Sequence, residues 1–220
     1  MKKLTSQQRP WIKVCGLTQV DNALAVAGVG PDAVGLVFFD KSPRNVSLKT
    51  AKNICTALPE GIDTIGVFVD ESFDAIMKTV EYCHLTGVQL HGKESPSLVR
   101  QLARNNLLVI KALFARRCPY LTQSDEYEPV TGFLVEYGKG ILPGGNAESW
   151  DYAEADALKS QMPLILAGGL DPDSVGKVVQ EVSPAGIDVS SGVEQEPGIK
   201  DIKRTAAFIT SARSAGALHS

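Results

Sequence analysis

The stretch Trp11-Ile12-Lys13-Val14-Cys15-Gly16-Leu17, followed by Val20-Asp21-Asn22-Ala23-Leu24-Ala25-Val26-Ala27 and then Ala33-Val34-Gly35-Leu36-Val37-Phe38-Phe39, decides the fold. A short apolar run, a segment with helical spacing and a second apolar run make one βαβ unit. Runs that are apolar throughout, rather than alternating, suit strands covered on both faces, the condition of a parallel sheet. The same unit recurs along the chain. Strand-like runs fall at 11–17, 33–39, 64–69, 87–91, 107–113, 132–137, 163–166 and 186–189, mostly with helix-like segments between them. Eight such units predict a single compact (β/α)8 barrel, a fold that ordinarily takes about 250 residues. An open doubly wound sheet would carry GxGxxG after its first strand, and Cys15-Gly16-Leu17-Thr18 is no such motif.

The length of 220 residues leaves little for a second domain. The expected layout is a lead-in over 1–10, the barrel over 11–213 and a tail over 214–220. Residues 115–131 carry two prolines and a poor apolar stripe, so any helix there should be short. With 44% hydrophobic and 21% charged residues, the composition is that of a globular domain and excludes a disordered or collagenous chain. A net charge of -3 gives no basic excess for a nucleic-acid surface. No apolar run reaches membrane-spanning length, and the basic start has no apolar segment behind it. The expectation is a soluble, cytoplasmic protein. Cys15, Cys55, Cys83 and Cys118 include no CxxC pair, so neither a metal site nor a disulfide is expected.

In such a barrel the working residues stand at the C-terminal ends of the strands. That points to Cys15, 40–44, Asp70, His91, Glu136, Gly168-Gly169 and 188–192. The turns Leu166-Ala167-Gly168-Gly169-Leu170 and Asp188-Val189-Ser190-Ser191-Gly192 follow strands seven and eight, where this fold builds phosphate sites. Cys15 closes the first strand, where a thiol can serve as general base; Cys55, Cys83 and Cys118 read as small hydrophobes. Arg44 in the second loop has the planar fork that a carboxylate needs, with a solvated surface position as the alternative. His91 on sequence alone reads as a hydrogen-bonded structural histidine. Lys111, inside an apolar strand, should face the lumen with an acidic partner or stand at the strand end.

Together these motifs resemble the phosphoribosylanthranilate isomerase family of tryptophan biosynthesis, over about residues 11–213. The resemblance rests on Ile12-Lys13-Val14-Cys15-Gly16-Leu17-Thr18, Ser42-Pro43-Arg44-Asn45-Val46, Gly66-Val67-Phe68-Val69 and Val88-Gln89-Leu90-His91-Gly92-Lys93-Glu94. It continues through the two glycine and serine turns to Gly198-Ile199-Lys200-Asp201. It implies an enzyme, an aldose–ketose isomerase of N-(5-phosphoribosyl)anthranilate that uses no cofactor or metal. The product would be 1-(2-carboxyphenylamino)-1-deoxyribulose 5-phosphate, formed by an Amadori rearrangement. It further implies Cys15 as base, Arg44 on the anthranilate carboxylate, Asp188 and His91 at the substrate, and a phosphate cradle of Gly168, Gly169, Ser190, Ser191 and Gly192.

Two departures are legible. The family ends strand six on an aspartate acid, where Phe133-Leu134-Val135-Glu136-Tyr137 offers Glu136; its later Gly-Gly-Thr-Gly is here Gly144-Gly145-Asn146-Ala147. Glu136 is then the expected acid. The alternative is a diverged phosphosugar-binding barrel with weak or no isomerase activity. A histidine-pathway isomerase barrel would show a second Gly-Gly after strand three, where Asp70-Glu71-Ser72 stands. The expected partner is a phosphosugar, with no nucleic acid or membrane, in a monomer or homodimer.

Overall fold

A computed structural model describes residues 4, 9–138, 151–152, 154–155 and 163–217. Eight parallel strands close into a barrel: β1 Trp11–Cys15, β2 Ala33–Phe38, β3 Asp63–Phe68, β4 Gly87–Leu90, β5 Leu108–Phe114, β6 Gly132–Glu136, β7 Leu164–Leu166 and β8 Gly186–Val189. Each strand pairs with the next, and β8 returns to β1 with Ile12 opposite Ile187 and Lys13 opposite Asp188. The (β/α)8 expectation is correct, and the helices α1 Val20–Gly28, α2 Leu48–Ala57, α3 Phe73–Cys83, α4 Pro96–Ala103, α5 Val175–Val182 and α6 Ile202–Gly216 surround the sheet. The last helix runs past residue 213, where the sequence reading ended the barrel.

Local chemistry sets the element boundaries. Ser47, Ser72 and Ser95 cap α2, α3 and α4 by accepting from the third residue on, and Asp201 does so for α6. Pro96 occupies the first turn of α4, where a missing N–H costs nothing. Residues 115–131 hold only the one short 3-10 helix Leu121–Tyr127, as their composition predicts. A two-stranded hairpin, β9 Glu194–Glu196 and β10 Ile199–Lys200, follows β8. Among the described residues, no helix is long and apolar enough to cross a membrane.

Side chains alternate between lumen and helix layer along every strand. Trp11, Ala33, Ile65, Ile110, Leu134 and Ile165 fill the lower lumen, and Cys15, Val37 and Val67 pack nearer its C-terminal mouth. The opposite faces, such as Ile12, Val14, Leu36, Val109 and Leu113, meet the helices in the main core. Lys111 alternates out of the lumen series Ile110, Ala112, Phe114, which corrects the lumen expectation. Its acidic partner is Glu94, 2.8 Å away, and its ammonium also donates to the carbonyls of Leu90 and Gly92. Cys118 is exposed rather than packed, unlike the buried Cys83; all four thiols are free.

Candidate active site

Because lumen positions repeat every second residue, Cys15, Gln89, His91, Glu136 and Asp188 all reach the mouth from the ends of β1, β4, β6 and β8. They line one cavity together with Gly168, Gly169, Ser190, Ser191 and Gly192. Of the strand-end candidates read from the sequence, Asp70 and 40–44, Arg44 among them, are missing from this lining; Asn146 and Ala147 lie outside the described residues.

The base candidate sits in a tight place. A Cβ on Gly35 of the neighbouring strand would stand 2.5 Å from the Cys15 Sγ, so glycine there is what gives the thiol room. Burial pushes the Cys15 thiol above its ordinary 9.0, and the Asp188 carboxylate adds to that, while the ammonium groups of Lys13 and Lys200 work against it. Lys13 is fully buried and donates to Asp188 at 2.7 Å across the β1–β8 seam. Burial opposes its charge, yet the Asp188 carboxylate and Cys15 hold its pKa above the usual lysine value. Sequence inspection passed over Lys13; the closing register, which sets it opposite Asp188, is the signal that would have found it.

The acid candidate, Glu136, is buried and lies 3.2 Å from His91 Nε2; the other ring nitrogen, Nδ1, is 2.9 Å from the Gln89 amide. His91 also meets the ring of Phe114 edge-on, at 5.4 Å between centroids. His91 is thus hydrogen-bonded, as its sequence context implies, and in the same act lines the cavity.

Beyond β7, Gly168 and Gly169 have φ of +88° and +69°, left-handed values that favour glycine and let the backbone come close to a ligand. Beyond β8 a single 3-10 turn, Ser191–Val193, brings Gly192 against the Leu170 carbonyl, where a Cβ would overlap the oxygen. The Lys200 ammonium donates to the Ser190 carbonyl at 3.1 Å and Arg204 donates to that of Gly192 at 3.0 Å, so two cations stand behind the turn.

Arg44 is not an open clamp. Its Nε and Nη2 donate to the two oxygens of Glu194 at 2.8 and 2.6 Å, and Lys200 joins the same carboxylate at 2.8 Å. Burial alone would raise Glu194, but Arg44 and Lys200 hold it below its ordinary 4.5. The fork does bind a carboxylate bidentately; here the carboxylate is the chain's own.

An eight-stranded barrel with a thiol, an imidazole and two carboxylates in its mouth, beside a glycine and serine turn pair, has the equipment of a phosphosugar enzyme working by acid–base chemistry. The family described as N-(5'phosphoribosyl)anthranilate (PRA) isomerase matches residues 12–211. An N-(5'-phosphoribosyl)anthranilate isomerase of Desulfatibacillum aliphaticivorans is 44% identical over 205 residues, covering 93% of this chain and 94% of that protein. The crystal structure of phosphoribosyl anthranilate isomerase from Thermotoga maritima is 34% identical with a TM-score of 0.84, covering 92% of this chain and 98% of that one. A crystal structure of that enzyme type in complex with reduced 1-(o-carboxyphenylamino)-1-deoxyribulose 5-phosphate has a TM-score of 0.82, at 34% identity and the same coverage. The chain belongs to the phosphoribosylanthranilate isomerase family, the aldose–ketose isomerases of tryptophan biosynthesis.

Proposed function

We propose that this chain carries out the family's Amadori rearrangement with Cys15 as general base and Glu136 as general acid. Glu136 gives its proton to the ribose ring oxygen as the C1–O bond breaks, while the lone pair of the anilino nitrogen forms the C=N bond. The Cys15 thiolate then takes the C2 proton, and the electrons left behind neutralise the iminium as an enaminol. Return of the Cys15 proton to C1, with loss of the C2 hydroxyl proton to Glu136, gives the ketone and restores both groups. Proton count and charge balance over the cycle.

The observation that carries the reading is convergence: thiol and carboxylate line the same cavity as both glycine and serine turns. Gly168, Gly169, Ser190, Ser191 and Gly192 would hold the phosphate, and Asp188 and His91 would face the ribose. For Arg44 to hold the anthranilate carboxylate, Glu194 must yield one of its contacts or the substrate must take the remaining Nη1 edge. Such a phosphosugar enzyme would work in the cytoplasm. Product fluorescence gives the test. Cys15→Ala and Glu136→Gln should each lose on the order of a hundredfold or more in kcat while still binding substrate. Wild-type turnover in either variant removes that residue from the mechanism, and absence of turnover in the unaltered protein favours the silent binding barrel.

A further inference from the structure

We infer that Gln89 is a positioning residue that keeps the transferable proton on Glu136, acting through the tautomer of His91; this rests on the reading of Glu136 as the acid. Gln89, His91 and Glu136 form a line in the lumen, with relative exposures of 1%, 2% and 4%. The Gln89 Nε2 to His91 Nδ1 distance is 2.9 Å and that from His91 Nε2 to Glu136 Oε1 is 3.2 Å. Among the described residues, Gln89 Oε1 is buried without a hydrogen-bond partner.

A neutral imidazole has one N–H donor and one acceptor nitrogen, so the group facing Nδ1 decides where the ring proton sits. With the amide nitrogen toward His91, Nδ1 accepts, Nε2 carries the proton, and Nε2–H donates to a Glu136 carboxylate. That carboxylate has nothing to give. Turned by half a turn, an amide of nearly the same shape presents Oε1 instead. Nδ1 then carries the proton, Nε2 becomes the acceptor, and the hydroxyl of a protonated Glu136 donates to it. The turned arrangement holds one proton more. An imidazolium–carboxylate pair with the same proton count also needs Nδ1–H, and so also needs the amide oxygen.

Every form of the pair that holds the extra proton between His91 and Glu136 therefore requires the carbonyl of Gln89 on His91. Leaving a buried acceptor unpaired is costly, and the turn gives Oε1 a donor. The amide NH2 is left beside the cavity that Gln89 lines, among the hydroxyl acceptors a sugar would bring.

Gln89→Glu presents only acceptor oxygens to Nδ1 when ionised; Gln89→Met keeps the volume and presents neither donor nor acceptor. Expected for Gln89→Met is a kcat lower by about tenfold to a hundredfold, at or below the lower end of what a general acid contributes, with KM within about twofold. Gln89→Glu should restore kcat to within about fivefold of wild type. In the unaltered protein, nitrogen-15 NMR at pH 7 should place the His91 proton on Nδ1, a readout that stands even if a variant fails to fold. Equal losses in both variants, wild-type turnover in Gln89→Met, or an Nε2–H tautomer at pH 7 would each overturn the inference. Should Glu136→Gln itself keep full turnover, the acid assignment fails; an inactive Glu136→Gln beside an unaffected Gln89→Met sinks only the role of Gln89.

Discussion

Replacing Gly35 by alanine tests whether the position of one thiol governs the chemistry. The added Cβ would stand 2.5 Å from Cys15 Sγ and 3.1 Å from both Cα and Cβ of Cys15. Ordinary contact begins near 3.4 Å, so 3.4 - 2.5 leaves about 0.9 Å for the sulfur to give up. The flanking 3.1 Å contacts stop the residue from sidestepping as a unit, so the displacement falls on the side chain. A misplacement of about 1 Å costs on the order of a hundredfold in rate, or about 2.7 kcal/mol of barrier. Gly35→Ala should lower kcat by about that factor with KM little changed, because the glycine and serine turns stand on β7 and β8. Overpacking should also cost about 1–3 kcal/mol of stability. In a Cys15→Ala background the sulfur is gone, and the stability loss from Gly35→Ala should shrink. Steady-state product fluorescence and thermal melts read both quantities. Full activity in Gly35→Ala, or an undiminished stability loss in the double variant, would show that the thiol is not held where the chemistry needs it.

The pH profile follows from the same thiol. Its pKa lies above the ordinary 9.0, so the thiolate fraction grows with pH through neutrality, and kcat/KM should climb about tenfold per unit on a limb that levels off only above pH 9. A plateau reached by pH 7 contradicts this. Lysine in place of Arg44 removes the bidentate fork, so Arg44→Lys should raise KM more than it lowers kcat, and an unchanged KM would place the substrate carboxylate elsewhere. Glu194→Gln strands the buried cations of Arg44 and Lys200 and should cost about 3 kcal/mol, a fall of roughly 6–12 °C in Tm for a chain of this size; calorimetry decides.

What could be read from the chain was whatever lies along one strand or at its end. The apolar runs placed all eight strands, and the C-terminal ends of β1, β4, β6 and β8 supplied Cys15, His91, Glu136 and Asp188 without further help. Hidden were the contacts that close only in three dimensions. Lys13 stands 175 positions from Asp188, and Arg44 stands 150 from Glu194, so neither local spacing nor periodicity joins them. Arg44 therefore read as an unoccupied clamp, and Lys13 was passed over. Lys111 misled for a related reason. A lysine in an apolar strand suits either face, and only the parity of Ile110 and Ala112 tells that it points outward to Glu94.

The ion pair of Lys13 with Asp188 also ties the completion of the site to the closure of the barrel. It is formed by the first and the last strand of the barrel, and it fixes the buried Lys13 ammonium that works against the effect of burial on the Cys15 thiol. A nascent chain that has laid down seven strands still carries Lys13 without its counterion and lacks the turn after β8. Sealing the barrel and completing the mouth that Cys15 and Asp188 share are thus one event.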